Sequence, residues 1–189
     1  MLPSLIVIDG FYNNALEVRR YALSLPFDVA GNYPGKRTAP QIAEGTKSVL
    51  EKTLGAKIDY WPTDKYNGSF QLATGAERSW IHYDETTWAG VLYLTPDAPV
   101  LSGTAFYRHR ETGLMACPGG SANPSAPTIN RDAQKPEAWE EVDRVGNVFN
   151  RLVLFKGSRL HCSCPYFGDN PENARLFQLF FFNAEETTQ

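Results

Sequence analysis

Trp80-Ile81-His82-Tyr83-Asp84 is the stretch on which the fold of this chain turns. His82 and Asp84 are two residues apart. On a β-strand, side chains two apart point to the same face, so a strand over residues 79–84 aims an imidazole and a carboxylate at one point. Trp80 falls on that face as well and becomes a candidate pocket wall, while Ile81 and Tyr83 face the other way. A lone histidine is more often a surface or core residue than a ligand. This chain has three histidines, and a second one stands in a matching context. His161 follows the apolar run Leu152-Val153-Leu154-Phe155 and a turn at Gly157-Ser158, at the start of a further strand. Two histidines and one carboxylate on different strands form a facial set that binds Fe(II) and leaves coordination positions open.

Further along, Arg175 opens Arg175-Leu176-Phe177-Gln178-Leu179-Phe180-Phe181-Phe182. On that strand it shares a face with Phe177, Leu179 and Phe181. An arginine on an apolar face is costly to bury without an anion. An ion pair with an internal Asp or Glu is one way to satisfy it. A clamp for a ligand carboxylate is the other, and the planar guanidinium fork suits that task.

Around these residues the pattern changes along the chain. Residues 5–8 read as a buried strand and residues 15–25 as a helix that Pro26 stops, with Asn13-Asn14 at its start. Residues 31–35 read as a loop, and residues 38–54 as a second helix closed by Gly55. From Tyr66 onward short strands dominate: 69–73, 79–84, 89–95, 104–109, 151–155 and 174–182, with Gly, Pro or Asp turns between most of them. Helices first and strands later predict a mainly β (α+β) fold with N-terminal helices packed on one sheet. Residues 111–150 read as an insertion bordering a site, proline-rich at 117–127 and helical at 136–144.

Composition narrows the function classes. A chain of 189 residues suggests one domain, with residues 1–65 as helical support and 66–189 as the β core. Its net charge of −3 gives no reason to expect a nucleic-acid or anionic-membrane partner. The three cysteines build no disulfide framework, which fits a reducing cytoplasm. The N-terminal run is too short and lacks the flanks of a signal peptide, and no stretch approaches a membrane span. Cys162 and Cys164 beside His161 lack the second ligand pair of a structural zinc site, and on a strand they face away from His161. His109 reads as part of a surface cluster. Arg108 and Arg110 share a strand face that is a candidate substrate pocket for an anion. A Ser/His/Asp triad, a phosphate loop and a dinucleotide fingerprint are absent.

Together, His82-x-Asp84, His161 and Arg175 resemble the signature of the Fe(II)/2-oxoglutarate-dependent oxygenases, in particular the prolyl-hydroxylase-like branch. Tyr93-Leu94-Thr95 resembles the Tyr-Leu-Asn segment that follows the motif there. Gly103-Thr104-Ala105-Phe106-Tyr107 resembles the next segment, with Thr104 replacing a second glycine, and Arg151-Leu152-Val153-Leu154-Phe155 resembles the strand leading to the distal histidine. The likeness runs from about Phe70 to Phe182. Two features depart from it: Arg175 lies further from its histidine, and the insertion after Arg110 has no counterpart in the shortest members.

The resemblance implies a double-stranded β-helix, a cupin-like jelly-roll, with the site at its open mouth. It implies that His82, Asp84 and His161 are the metal ligands and the catalytic centre. It further implies that Fe(II), 2-oxoglutarate and O2 are the cofactor and cosubstrates. Arg175 would hold the distal carboxylate of 2-oxoglutarate, with a hydrogen bond from Tyr93. The implied reaction is hydroxylation of a small-molecule or peptide/protein substrate, with release of succinate and CO2. Two other readings compete: a cupin-like metal barrel with 2-oxoglutarate-independent chemistry, and a non-catalytic binding module. Arg175 and Tyr93 separate the first from these, because only a carboxylate-bearing cosubstrate needs a clamp.

Overall fold

The apolar runs over residues 88–93, 152–156 and 175–184 form strands that bury side chains on both faces. The computed structural model describes residues 3–31 and 33–185. Met1, Leu2 and Asn32, which belong to the N-terminal run and the 31–35 loop, lie outside the described residues, as do the last four.

In chain order the elements are β1 (Leu5–Ile8), α1 (Ala15–Ser24), β2 (Lys36–Arg37), α2 (Thr46–Leu54), β3 (Ile58–Tyr60), β4 (Phe70–Ala73), β5 (Trp88–Tyr93) and β6 (Thr104–His109). They continue with α3 (Ala126–Asp132), β7 (Trp139–Val145), β8 (Leu152–Lys156), β9 (His161–Ser163) and β10 (Arg175–Ala184). The larger sheet runs β1-β8-β5-β10-β4-β2, with β3 also on β10, and the smaller runs β7-β6-β9. All pairings are antiparallel. The fold is thus mainly β, with three α-helices among the described residues.

Alternation along the strands creates two cores. One face of the larger sheet presents Trp88, Leu92, Leu154, Leu176, Phe180 and Phe182, and these pack with Ala22 of α1 and with Leu50 and Leu54 of α2. The other face presents Val91, Tyr93, Val153, Phe155, Phe177 and Leu179 toward Phe106 and Val145 of the smaller sheet. A third cluster, with Ile129 of α3, Trp139 and Cys162, covers the outer side of the smaller sheet. Phe180 is fully buried against the helices. Phe180→Ala is expected to destabilise the fold by about 3–5 kcal/mol, through lost burial and the cavity left behind. A lower denaturant midpoint at unchanged slope would show it; an unchanged midpoint would refute it.

Three predicted elements differ. Residues 79–84 are not a strand. They form no ladder, and only His82 makes a bridge, to His161. The second helix begins at Thr46 rather than 38, because residues 38–41 spend their backbone on the sheet: Thr38 N donates to Phe70 O and Gln41 N to Gly68 O. Gly45, at φ 83°, then turns the chain into the helix. The stretch 136–144 is not helical. After one short turn it becomes β7, which pairs along β6 from Val145 to Trp139. The 111–150 segment therefore supplies an edge strand to the smaller sheet.

Candidate metal and cosubstrate site

His82 and His161 face each other as one antiparallel bridge. Each backbone N–H donates to the other's carbonyl at 2.9 Å, and the two rings lie 4.3 Å apart, centroid to centroid. Asp84 is set by its own N–H, which donates to Gly157 O at 2.8 Å. A Cβ at Gly157 would lie 2.1 Å from the Thr86 carbonyl, so the approach that fixes Asp84 requires glycine there. The carboxylate then reaches both rings, with Asp84 Oδ2 3.4 Å from His161 Nε2 and Oδ1 4.0 Å from His82 Nε2. One ligand atom from each of the three residues lies within 4.8 Å of the others.

The outer hydrogen bonds settle which ring nitrogen is free. His82 Nδ1 lies 3.1 Å from the Trp80 carbonyl and His161 Nδ1 2.7 Å from the Arg159 carbonyl. A carbonyl only accepts, so each Nδ1 carries the proton and each Nε2 presents its lone pair inward. Burial, helped by the neighbouring His161, pushes His82 down to about 4, against the pull of Asp84, so its imidazole is neutral at pH 7. Burial pushes the Asp84 carboxyl up, but the adjacent His161 and His82 outweigh it and hold it below its ordinary value. Two imidazole lone pairs and a carboxylate, preset in orientation, fit a divalent transition metal.

For the metal-free protein the pH dependence has a definite sign. Between about 4 and the ordinary value of 6.5 the unfolded chain protonates His82 and the folded one does not. Stability is therefore expected to fall on acidification through this window. Asp84 adds to the loss at lower pH, since its folded pKa is depressed. Denaturant midpoints of the metal-free protein across pH 4–7 check this; a midpoint that rises toward pH 4 would refute it.

The three residues open onto a cavity of about 570 Å³, within the size range of small-ligand sites. Val91, Phe155, Phe177 and Leu179 form its apolar wall, and Trp80 lines it as the sequence suggests. Tyr33, whose ring lies 4.4 Å from His82, stands beside Trp80. Thr104 and Ser163 also line the cavity. Directly behind them sit Tyr93 and Arg175: Tyr93 Oη lies 2.8 Å from Thr104 Oγ1, and Arg175 Nη1 donates to Ser163 Oγ at 2.6 Å.

Arg175 is fully buried. Its Nη2 donates to the Gly103 carbonyl, its Nε has no partner, and the guanidinium lies against the rings of Tyr93, Tyr166 and Phe177. Among the described residues no carboxylate pairs with it, so the internal ion pair weighed from the sequence does not form. Burial raises the Tyr93 phenol, which stays a protonated donor at neutral pH.

Other residues singled out from the sequence fall elsewhere. Arg108 and Arg110 are exposed and do not line the cavity. Arg108 pairs across the strands with Glu140 at 3.1 Å, and Arg110 Nε donates to the Trp139 carbonyl. His109 is fully buried rather than part of a surface cluster, bonded to Thr112 and Asp132. The cysteines are free and buried, with Cys162 turned toward Tyr107 and away from the triad. Sequence reasoning missed Tyr33, Arg37, Tyr66 and Gln71, all of which line the cavity. They lie in loops, on a two-residue strand or on a short one, where no periodicity marks them.

Solved structures of low sequence identity share this architecture. HygX from Streptomyces hygroscopicus, solved with nickel and 2-oxoglutarate, is similar at 12% identity and a TM-score of 0.55 over 95% of this chain and 82% of that one. The same protein with hygromycin B also bound gives 0.57 at 11% identity, with the same coverage. A prolyl hydroxylase from Trichoplax adhaerens, in complex with a peptide of hypoxia inducible factor, gives 0.52 at 15% identity, over 95% and 83%. At these identities the likeness is one of fold. By sequence, the chain belongs to DUF6445, a family of unknown function, which it matches over residues 3–182. No curated protein matches the sequence. Among the described residues no helix is long and apolar enough to cross a membrane.

Proposed function

We propose that this protein is an Fe(II)- and 2-oxoglutarate-dependent oxygenase that hydroxylates a small-molecule or peptide substrate, releasing succinate and CO2. We read its two sheets as a double-stranded β-helix. We also read the chain as one domain, since β1 and β10, near opposite ends, share a sheet. The observation that carries the function is Arg175, a buried guanidinium without an acidic partner among the described residues, set behind the wall of the cavity that holds two histidines and an aspartate. A buried charge of this kind calls for an anion, and the distal carboxylate of 2-oxoglutarate supplies one.

In this reading His82 Nε2, His161 Nε2 and Asp84 hold the iron. Bound iron would supply the redox chemistry that couples oxidative decarboxylation of 2-oxoglutarate to oxidation of a substrate C–H bond. The protein's part is binding and orientation. The carbonyls of Trp80 and Arg159 keep both imidazoles in the ligating tautomer. Arg175 answers the distal carboxylate of 2-oxoglutarate, reached past the Ser163 and Thr104 hydroxyls, and Tyr93 donates from beside it. Val91, Phe155, Phe177 and Leu179 exclude water, which strengthens each of these charge contacts. The structures with hygromycin B and with a peptide concern other proteins, yet they support a fold that accepts both substrate classes.

The test is to mix protein, Fe(II) and 2-oxoglutarate without oxygen. A visible charge-transfer band from bidentate cosubstrate is expected, with succinate formed once air is admitted. No band and no succinate would overturn the proposal.

A further inference from the structure

β2 brings a second buried arginine to the same cavity. Arg37 is 3% exposed and forms part of the lining. Its Nη2 donates to the Tyr33 carbonyl at 3.1 Å, while Nε and Nη1 have no hydrogen-bond partner. No carboxylate among the described residues pairs with it. Its guanidinium carbon lies 4.8 Å from the centre of the Tyr66 ring, a contact that supports a cation without neutralising it.

The backbone is shaped around this group. A Cβ at residue 31 would fall 2.1 Å from Arg37 Nη1, so Gly31 leaves the space that the guanidinium fills. Across the sheet, Arg37 pairs in register with Gln71, Gln71 with Phe177, and Phe177 with Tyr93. Arg37 therefore stands in one row with the cavity wall but two strands from β10, which carries Arg175. At about 4.8 Å per strand, the two arginine backbones are held apart by roughly 10 Å.

Charges at the cavity agree. The exposed Lys65 lines it with the same sign. Of the acids lining it, Asp84 is turned to the two histidines, and Glu85 accepts the Ser121 backbone N–H at 3.1 Å. Burial lowers the Arg37 pKa, and the nearby tyrosines only partly offset this.

We propose that Arg37 anchors an acidic group of the primary substrate, a carboxylate or a phosphate, while the chemistry takes place at a less polar part of that molecule. This rests on the oxygenase reading of the cavity. The test uses protein loaded with Fe(II) and 2-oxoglutarate without oxygen, so that the cosubstrate position is filled. Propionate and methyl phosphate are then titrated by calorimetry, with the charge-transfer band read in parallel for 2-oxoglutarate affinity.

Saturable binding of at least one anion is expected, and the tighter of the two distinguishes a carboxylate substrate from a phosphate one. Arg37→Gln is expected to weaken that binding by about tenfold or more, as loss of a charge-assisted contact does. Arg37→Lys retains part of it and keeps the buried charge should the neutral variant not fold. The 2-oxoglutarate affinity stays within about twofold in both, as for a site apart from the clamp. Equal anion binding by wild type and Arg37→Gln, or no saturable binding, overturns the proposal. Loss of the band in the Arg37 variants alone also overturns it, and moves Arg37 to the cosubstrate. A wild type without any band overturns the oxygenase reading instead. The dependence of anion binding on Arg37 is then still read in the same titration.

Discussion

His82→Ala and Asp84→Ala are expected to leave the protein folded and unable to retain Fe(II). Each removes one of three donors, and no other His, Cys, Asp or Glu among the described residues joins the cluster to replace it. Loss of a group that only orients a ligand weakens metal binding by about 10–100-fold, so loss of a ligand is expected to exceed that range. Both side chains are only partly buried, so truncation leaves no closed void of the kind that unfolds a core. Iron content after desalting, together with succinate formation, measures the effect. Stoichiometric iron and full turnover in both variants would remove the triad from the site.

Arg175→Gln comes next in size. The variant keeps polar reach toward Ser163 and Gly103 but loses the charge. Truncating one partner of a buried charge pair costs about 2–5 kcal/mol, which corresponds to a loss of roughly thirtyfold or more in 2-oxoglutarate affinity. Iron binding is expected to persist, because Arg175 touches none of the three ligands. The split is diagnostic: metal retained, charge-transfer band shifted to far higher 2-oxoglutarate. A variant with wild-type cosubstrate affinity would show that Arg175 is structural. Because Arg175 has no acidic partner to strand among the described residues, the change is not expected to destabilise the fold as breaking an internal ion pair would.

The strands that build the cavity were legible because each is an apolar run. β5, β8 and β10 are buried on both faces, and β6 alternates between two cores. β7 misled because Glu137, Glu140, Glu141 and Arg144 favour helix locally, whereas pairing with β6 decides the outcome. β2 and β3, of two and three residues, are too short to show any period. Residues 79–84 bring His82 and Asp84 together without being a strand, so the spacing argument reached the right juxtaposition by a geometry that is not there. One bridge and the Gly157 carbonyl do that work instead.

By itself the sequence singled out the candidate residues: two histidines, a carboxylate, a tyrosine and an arginine, placed on or beside apolar strands. It also determined a mainly β fold with helices at its start. Only the tertiary structure decided which charges find partners. Arg108 meets Glu140 and leaves the site, His109 meets Asp132 in a core, and Arg175 and Arg37 meet no acid among the described residues. The reason is physical. Periodicity and side-chain type are written locally, but whether a buried charge is neutralised depends on residues distant in the chain, brought within a few ångströms by strand register.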